Sequence, residues 1–138
     1  MKHALRIPAD VHQLVVVRQF IERVSAGLGL PNSVSDPLTL AVDESLSNII
    51  LHGYRGQPGM IDIELEPVED ALLVHLRDQA PPFDPTQLPN PDIRLPLDQR
   101  PVGGMGVYLA RRSVDKITYE QRAGGGNHLT LTKRTAAV

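Results

Sequence analysis

Apolar residues in the first part of the chain recur with the spacing of an amphipathic helix. Over residues 11–28 they stand three or four positions apart, as Leu14, Val17, Ile21, Val24 and Leu28. Side chains at these steps share one face of a helix. The pattern therefore predicts a helix over this range, with Asp10 as its N-cap and with Gly27 and Gly29 at its end. Residues 5–8, just before it, have the composition of a short strand.

A second helix is predicted to begin at Asp36-Pro37 and to run to His52. Asp36 supplies an N-cap carboxylate, and proline suits the first turn because its missing N–H has no partner there in any case. Gly53 follows as the stop signal. Two helices in succession, each with one apolar face, require a common surface on which to pack.

The remaining patterns predict two β-hairpins and a third helix. Apolar and polar residues alternate over residues 60–67, and a second strand is predicted over 72–77. A helix is expected over residues 107–114, followed by strands over 116–121 and 128–133. This order predicts an α+β fold, a two-layer sandwich in which a mostly antiparallel sheet carries the helices on one face.

Residues 80–102 are rich in proline and have no periodic apolar pattern. A stretch of this length without regular structure is uncommon inside a domain and is typical of a functional loop or lid. We therefore expect residues 1–138 to form a single domain with a flexible lid at about 80–102.

The composition excludes several classes of function. The chain has no cysteine, which excludes disulfides, thiol catalysis and cysteine-based zinc sites. Its net charge is −2 and its cations are scattered, so no basic face indicates direct binding of nucleic acid. His52, His75 and His128 fall on separate elements without the spacing of metal ligands. No apolar run reaches the ~18 residues of a membrane span, and a cytoplasmic location is expected.

Three groups of residues could carry chemistry. Glu44 and Asn48 stand four positions apart and share a helix face, so they could supply a base and a metal ligand. Asp78 ends a strand, where its carboxylate could accept a hydrogen bond from an exocyclic amine. The glycine-rich residues 103–106 precede a helix, whose N-terminus favours phosphate. Taken singly, each also fits a structural explanation: a solvated helix face, a turn-forming aspartate and turn glycines.

The order of these segments resembles the ATP-binding fold shared by histidine kinases, gyrase, Hsp90 and MutL. The resemblance is carried by residues 41–54, 78–85 and 100–109, and residues 114–119 and 126–133 fit the closing strands. Within that superfamily, the chain is most similar to the small bacterial anti-sigma-factor serine/threonine protein kinases.

This resemblance implies ATP and Mg²⁺ as ligands, with Glu44 as the catalytic base, Asn48 as the Mg²⁺ ligand and Asp78 as the adenine ligand. The other implied ATP-binding residues are Ala80, Phe83, Arg100, Gly103, Gly104, Met105, Gly106 and Asn127. Arg18, on the first helix, resembles a partner-contact position. The implied partners are an anti-anti-sigma protein of the STAS type, which would be phosphorylated, and a sigma factor or similar regulator; the resemblance also suggests a homodimer.

Two positions depart from the family pattern. Glycine is usual two residues after the adenine-binding aspartate, where this chain has Ala80, and relatives often carry threonine where it has Asn127. A positive φ at Ala80 would cost about 1 kcal/mol, and its methyl group could crowd the base. A non-catalytic, protein-contact regulator with weakened or lost ATP binding is therefore the alternative. A histidine kinase fragment is disfavoured, because such enzymes need an accessory domain that carries the phosphorylated histidine.

Overall fold

The computed structural model describes residues 1–89, 94–96 and 105–135, and its centre is a five-stranded, fully antiparallel sheet. The strands lie side by side in the order β1-β2-β3-β5-β4. Their bounds are β1 His3–Pro8, β2 Met60–Pro67, β3 Ala71–Asp78, β4 Lys116–Gln121 and β5 Asn127–Arg134. The predicted strands and hairpins are thereby confirmed, and the fold is α+β as expected.

Within the described ranges, three α-helices cover one face of this sheet. They are α1 Leu14–Gly27, α2 Asn32–Asn48 and α3 Met105–Ser113. The core joins their apolar faces to alternate strand residues, among them Ile61, Ile63, Leu65, Leu72, Val74, Leu76, Leu129 and Leu131. In the described part of the chain, no helix combines the length and the apolar character needed to cross a membrane.

The other face of the sheet is polar. Arg6 and Asp62 form an ion pair across β1 and β2, with 3.7 Å between nitrogen and oxygen, and Arg77 and Glu64 form another across β2 and β3 at 3.6 Å. Side chains alternate between the two faces of a strand, so these charges necessarily lie opposite the apolar core. Among the residues that the structure describes, the helices therefore pack on the apolar side of the sheet.

Two histidines meet on this polar face, a contact that the sequence did not reveal. His75 Nδ1 and His128 Nε2 lie 2.9 Å apart, and His75 Nε2 lies 2.9 Å from Glu66 Oε1. The register of β3 with β5 places Arg77 opposite His128, so the two imidazoles are diagonal neighbours. Burial, together with Arg77 and His75, lowers the pKa of His128 below its ordinary value. In this N···N hydrogen bond one imidazole nitrogen donates and the other accepts.

The predicted start of the second helix was wrong. Pro37 lies inside α2, which begins one turn earlier, at Asn32. The backbone N–H groups of Val34 and Ser35 both donate to Pro31 O, at 3.0 and 3.2 Å, which closes the extra turn. Val34 and Ser35 are buried in that turn. This added burial and hydrogen bonding outweighs the backbone donor that proline lacks.

The end of this helix also differs from the prediction of a stop at Gly53. After Asn48 the backbone widens into a π-helical segment, Ile49–Tyr54, which closes at Arg55 in the left-handed conformation with a φ of 54°. The Arg55 N–H donates to Ile50 O at 3.2 Å, a five-residue step. The wider turn buries both Ile50 and Tyr54. Such segments are frequent at functional sites, and this one begins directly after Asn48.

The first helix agrees with the sequence except in its opening turn. Asp10 is the N-cap, as predicted, and its Oδ1 accepts the His12 N–H at 2.9 Å. The turn that it caps, Val11–Gln13, is a tighter 3₁₀ turn, and the α-helix starts only at Leu14. Gly29, with a φ of 70°, ends the segment as expected.

Candidate nucleotide site

A cleft opens between α2, α3 and the ends of β3, β4 and β5. Five of the residues expected to bind ATP line it: Asn48, Asp78, Ala80, Phe83 and Asn127. The sequence did not single out the rest of the lining, which comprises Ser45, Ile49, Gly53, Pro85, Thr86, Val107, Ala110, Arg111, Ile117, Tyr119 and Leu129. Most of these side chains are apolar, as in the majority of small-molecule sites.

Asp78 is the buried carboxylate of this cleft. It is 2% exposed, and its Oδ1 accepts hydrogen bonds from the Ala80 N–H and from Asn127 Nδ2, both at 2.9 Å. Oδ2 makes no hydrogen bond to any residue that the structure describes. Burial raises the pKa of Asp78 above its ordinary value, although the two hydrogen bonds oppose that shift. The site thus presents one fixed, poorly hydrated acceptor atom.

Asn127, the first residue of β5, ties together the chain segment that leaves β3. Besides Asp78, its Nδ2 donates to Ala80 O at 3.3 Å and to Pro81 O at 3.2 Å. Its Oδ1 accepts the Phe83 N–H at 3.0 Å. The whole amide is therefore engaged by protein groups. Its geometry supports a role in holding the segment around Asp78 rather than direct contact with a ligand.

Asn127→Ala should lower the free energy of unfolding by about 2–3 kcal/mol, because the buried Asp78 carboxylate and the Phe83 N–H would lose their hydrogen-bond partner. ATP affinity should fall with it. Tyr119→Phe is the control, since Tyr119 OH donates only one bond to Asn127 Oδ1, at 2.5 Å, and its loss should cost about 1 kcal/mol. Urea unfolding measures both. Equal losses for the two variants would contradict the central role of Asn127.

Ala80 carries no backbone strain. Among the described non-glycine residues only Arg55 has a positive φ, so the strain expected at Ala80 from the sequence does not arise. Ala80 is 2% exposed, and its Cβ lies 3.2 Å from the point where a Cβ on Gly53 would stand. The absent side chain of Gly53 therefore provides the space for the extra methyl group of Ala80.

Glu44 and Asn48 occupy the last turns of α2, at one end of the cleft. Asn48 lines the cleft, and Glu44, one turn earlier, lies beside Gly106 in the first turn of α3. Met105 is the residue at which α3 begins. Neither Glu44 nor Asn48 forms a side-chain hydrogen bond or ion pair within the described ranges. Both polar groups are therefore available to a ligand.

The first part of the predicted lid is structured. Asp84 caps a 3₁₀ turn, Pro85–Gln87, by accepting the Thr86 N–H at 2.9 Å. Arg111 of α3 donates to Pro85 O at 3.1 Å and to Thr86 O at 2.8 Å, which fixes this turn against the helix. A short 3₁₀ turn thus interrupts the loop, and the flexible lid at about 80–102 stays a prediction. Arg100, Gly103 and Gly104 lie outside the described residues.

Arg18 does not line the cleft. Its Nε and Nη2 donate to the two carboxylate oxygens of Asp43, each at 3.2 Å, which links α1 to α2. Asp43 directly precedes Glu44. The proposed contact of Arg18 with a partner stays a prediction.

Two residues that sequence reasoning missed support the Asp78 segment. Tyr54 OH donates to Met60 O at 2.7 Å and accepts the Gln79 N–H at 2.9 Å, so it braces the residue next to Asp78. Gly126, in the β4–β5 turn, packs against the Asp78 backbone so closely that a side chain has no room. Nothing in the local sequence signals either contact, because both join segments that are distant along the chain.

Known proteins are similar in sequence to this chain over most of its length. Serine/threonine-protein kinase BtrW of Bordetella bronchiseptica is 38% identical over 100 residues, which cover 72% of this chain and 70% of that protein. Serine-protein kinase RsbW of Bacillus cereus strain G9842 is 28% identical over 120 residues, covering 84% of this chain and 75% of that one.

The fold also has a solved counterpart, in the crystal structure of the RsbU and RsbW domains of Rv1364c from Mycobacterium tuberculosis. The TM-score is 0.69 at 19% identity, over 97% of this chain and 32% of that one, so this chain spans about a third of that longer protein. The sequence model of the histidine kinase-like ATPase domain matches residues 7–133. The chain therefore belongs to the histidine kinase-like ATPase domain family.

Proposed function

We propose that this protein is an ATP-dependent serine/threonine protein kinase that acts as an anti-sigma regulatory factor in a partner-switching pathway. The observation that carries the proposal is the Asp78 carboxylate, buried in an apolar cleft with one oxygen fixed and the other open. The relatives BtrW and RsbW bear the names of serine/threonine-protein and serine-protein kinases, which supports the same activity here.

The adenine base of ATP would lie at the end of the cleft that contains Asp78. Asp78 Oδ2 would accept a hydrogen bond from the exocyclic amine, and the apolar lining, including Ile49 and Val107, would cover the faces of the ring. A ligand with a carbonyl at the same ring position would place two acceptors together. This arrangement would favour adenine over guanine, because unpaired polar groups in a dry site are strongly disfavoured.

The phosphates would lie toward Asn48 and the N-terminus of α3. A helix N-terminus favours anions through its free N–H groups and its dipole. The Asn48 side chain has an amide oxygen, the kind of ligand that Mg²⁺ takes together with phosphate oxygens and water. Bound Mg²⁺ would neutralise charge on the transferred phosphoryl group. The donor set therefore fits this metal, with Asn48 as its protein ligand.

Glu44 would orient the attacking hydroxyl group and accept its proton. It lies on the face of α2 that carries Asn48, one turn away, next to the expected phosphates. The hydroxyl would belong to a serine or threonine of an anti-anti-sigma protein of the STAS type, and a sigma factor or similar regulator would be the second partner. Arg18 is proposed as a contact for these proteins, and a homodimer is proposed as the assembly.

Calorimetry with ATP, with and without Mg²⁺, tests the nucleotide site. Asn48→Ala should weaken Mg²⁺-dependent binding at least tenfold, whereas Glu44→Ala should leave binding within about threefold of the unmodified protein. Phosphate transfer from ATP to a STAS-domain protein of the same organism should fall about 100-fold or more in Glu44→Ala, the usual contribution of a general base. Glu44→Ala thus distinguishes the affinity for ATP from the rate of phosphate transfer.

Asn32→Ala and Glu22→Ala are the matched controls, because both residues are exposed on helices away from the cleft. Neither should change ATP binding, and Asn32→Ala should also leave transfer unchanged. If millimolar ATP does not bind, the kinase proposal fails and the non-catalytic regulator takes its place. Undiminished transfer by Glu44→Ala would instead remove Glu44 from the chemistry.

A further inference from the structure

Gly106, the second residue of α3, lies directly against the Glu44 carboxyl group. A Cβ atom at Gly106 would stand 2.7 Å from Glu44 Oε2, 3.7 Å from its Cδ and 3.8 Å from its Cβ. The first of these distances is shorter than van der Waals contact allows. Any side chain at this position would therefore force the carboxylate to move.

Backbone geometry does not explain a glycine at this position. Gly106 is helical and does not belong to the described glycines with positive φ, which are Gly29, Gly56, Gly124, Gly125 and Gly126. In a helix, glycine is about 1 kcal/mol less favourable than alanine. The close approach of Glu44 is the feature that requires the missing side chain.

The packing contact with Gly106 matters for the position of the Glu44 carboxylate, because hydrogen bonds to described residues do not fix it. Its carboxylate has no hydrogen-bonding or ionic partner within the described residues. The half-buried side chain is therefore confined by packing between α2 and α3. Its direction depends on the space at position 106.

We propose that Gly106 is a positioning residue for Glu44, which sets where the carboxylate stands at the phosphate end of the cleft. The inference rests on the proposed kinase function and gives this glycine a role other than close approach to phosphate. A misplacement of about 1 Å of a catalytic group can lower a rate about 100-fold. The space at position 106 would thus control transfer more than nucleotide affinity.

Gly106→Ala separates these roles. The added methyl group displaces only the far end of a flexible side chain, and alanine favours the helix, so stability should stay equal or rise. Phosphate transfer to the STAS-domain protein should fall at least tenfold, while the Kd for Mg·ATP should change less than about threefold. Urea unfolding, the transfer rate and calorimetry measure the three quantities.

Gly27→Ala is the matched control, since Gly27 ends α1 and a Cβ there meets no atom within 4 Å. It should leave both rate and affinity unchanged. The shorter side chain of Glu44→Asp makes room for the methyl group, so Gly106→Ala should change the rate of a Glu44→Asp protein less than twofold. This loss of effect distinguishes positioning of Glu44 from a general disturbance of α3.

Two results would overturn the inference: an unchanged transfer rate, or a loss of Mg·ATP affinity as large as the loss of rate. If the unmodified protein transfers no phosphate, the proposed function fails, and the position of Glu44 is read directly by NMR. The ¹³C resonance of its carboxyl carbon, assigned with Glu44→Gln, should shift in Gly106→Ala and not in Gly27→Ala. An unshifted resonance in Gly106→Ala would refute the contact itself.

Discussion

Asp78→Asn is expected to weaken ATP binding about 1,000-fold, equivalent to about 4 kcal/mol at 1.4 kcal/mol per tenfold. The amide oxygen can replace Oδ1 and keep the hydrogen bonds from Ala80 and Asn127. The amide nitrogen would then take the place of Oδ2 and face the adenine amine, donor against donor. Removing one partner of a buried, charged hydrogen bond commonly costs 2–5 kcal/mol, so the loss of affinity should be large.

The same variant should fold at least as stably as the unmodified protein at pH 7. Burial raises the pKa of Asp78 in the folded state above the unfolded value. Stability linked to this group is fully present below the unfolded pKa and is lost as the pH rises through the folded pKa. At pH 7 the native protein therefore contains a buried carboxylate at a net cost, which asparagine avoids. The advantage of the variant should disappear as the pH falls toward 3.8, the ordinary pKa of aspartate.

Calorimetry with Mg·ATP and urea unfolding at several pH values test both expectations. Asp62→Asn is the matched control, because Asp62 lies in the neighbouring strand on the opposite, polar face, ion-paired with Arg6. It should bind ATP normally. ATP binding by Asp78→Asn at unchanged affinity would show that this carboxylate does not recognise the base.

The sequence predicted the strands and the three helices because one apolar face is enough to identify each element. It could not predict where α2 begins and ends. Pro37 is a local signal for a helix start, but the burial of Val34 decides the start, and that burial depends on tertiary packing. The π-helical segment Ile49–Tyr54 similarly forms because Ile50 and Tyr54 reach the core. The local preference of a residue for a helix start or stop is overridden where tertiary packing is more favourable.

The residues expected in the site were predicted more completely than the contacts that hold them. Asn48, Asp78 and Asn127 were recognised by resemblance, and the structure places them in one cleft. Gly53 provides space for Ala80, and this contact joins the π-helical segment after α2 to the predicted lid. A single sequence contains no information on such distances, so the methyl group of Ala80 looked like a defect when taken alone.

Gly126→Ala should lower the free energy of unfolding by at least about 3 kcal/mol, the range of overpacking combined with backbone strain. Gly126 has a φ of 98°. A Cβ atom at this position would collide with Asp78 O, and it would also lie 2.9 Å from Gln79 Cα and 3.0 Å from the Asp78 carbonyl carbon. These neighbours are backbone atoms and cannot rotate away. Arg122 also donates to Asp78 O at 2.9 Å, so the strand end is held on that side as well.

Gly124→Ala is the control that isolates this collision. Gly124 lies in the same turn with a φ of 87°, but a Cβ there meets no atom within 4 Å. Its free energy of unfolding should fall only by the left-handed penalty of about 1–2 kcal/mol. It should bind Mg·ATP normally. Gly126→Ala must displace Asp78, so the part that stays folded should bind ATP at least tenfold more weakly. Equal unfolding midpoints in urea for the two variants would mean that the end of β3 can shift without loss of stability. Asp78 would then be held less firmly than its contacts indicate.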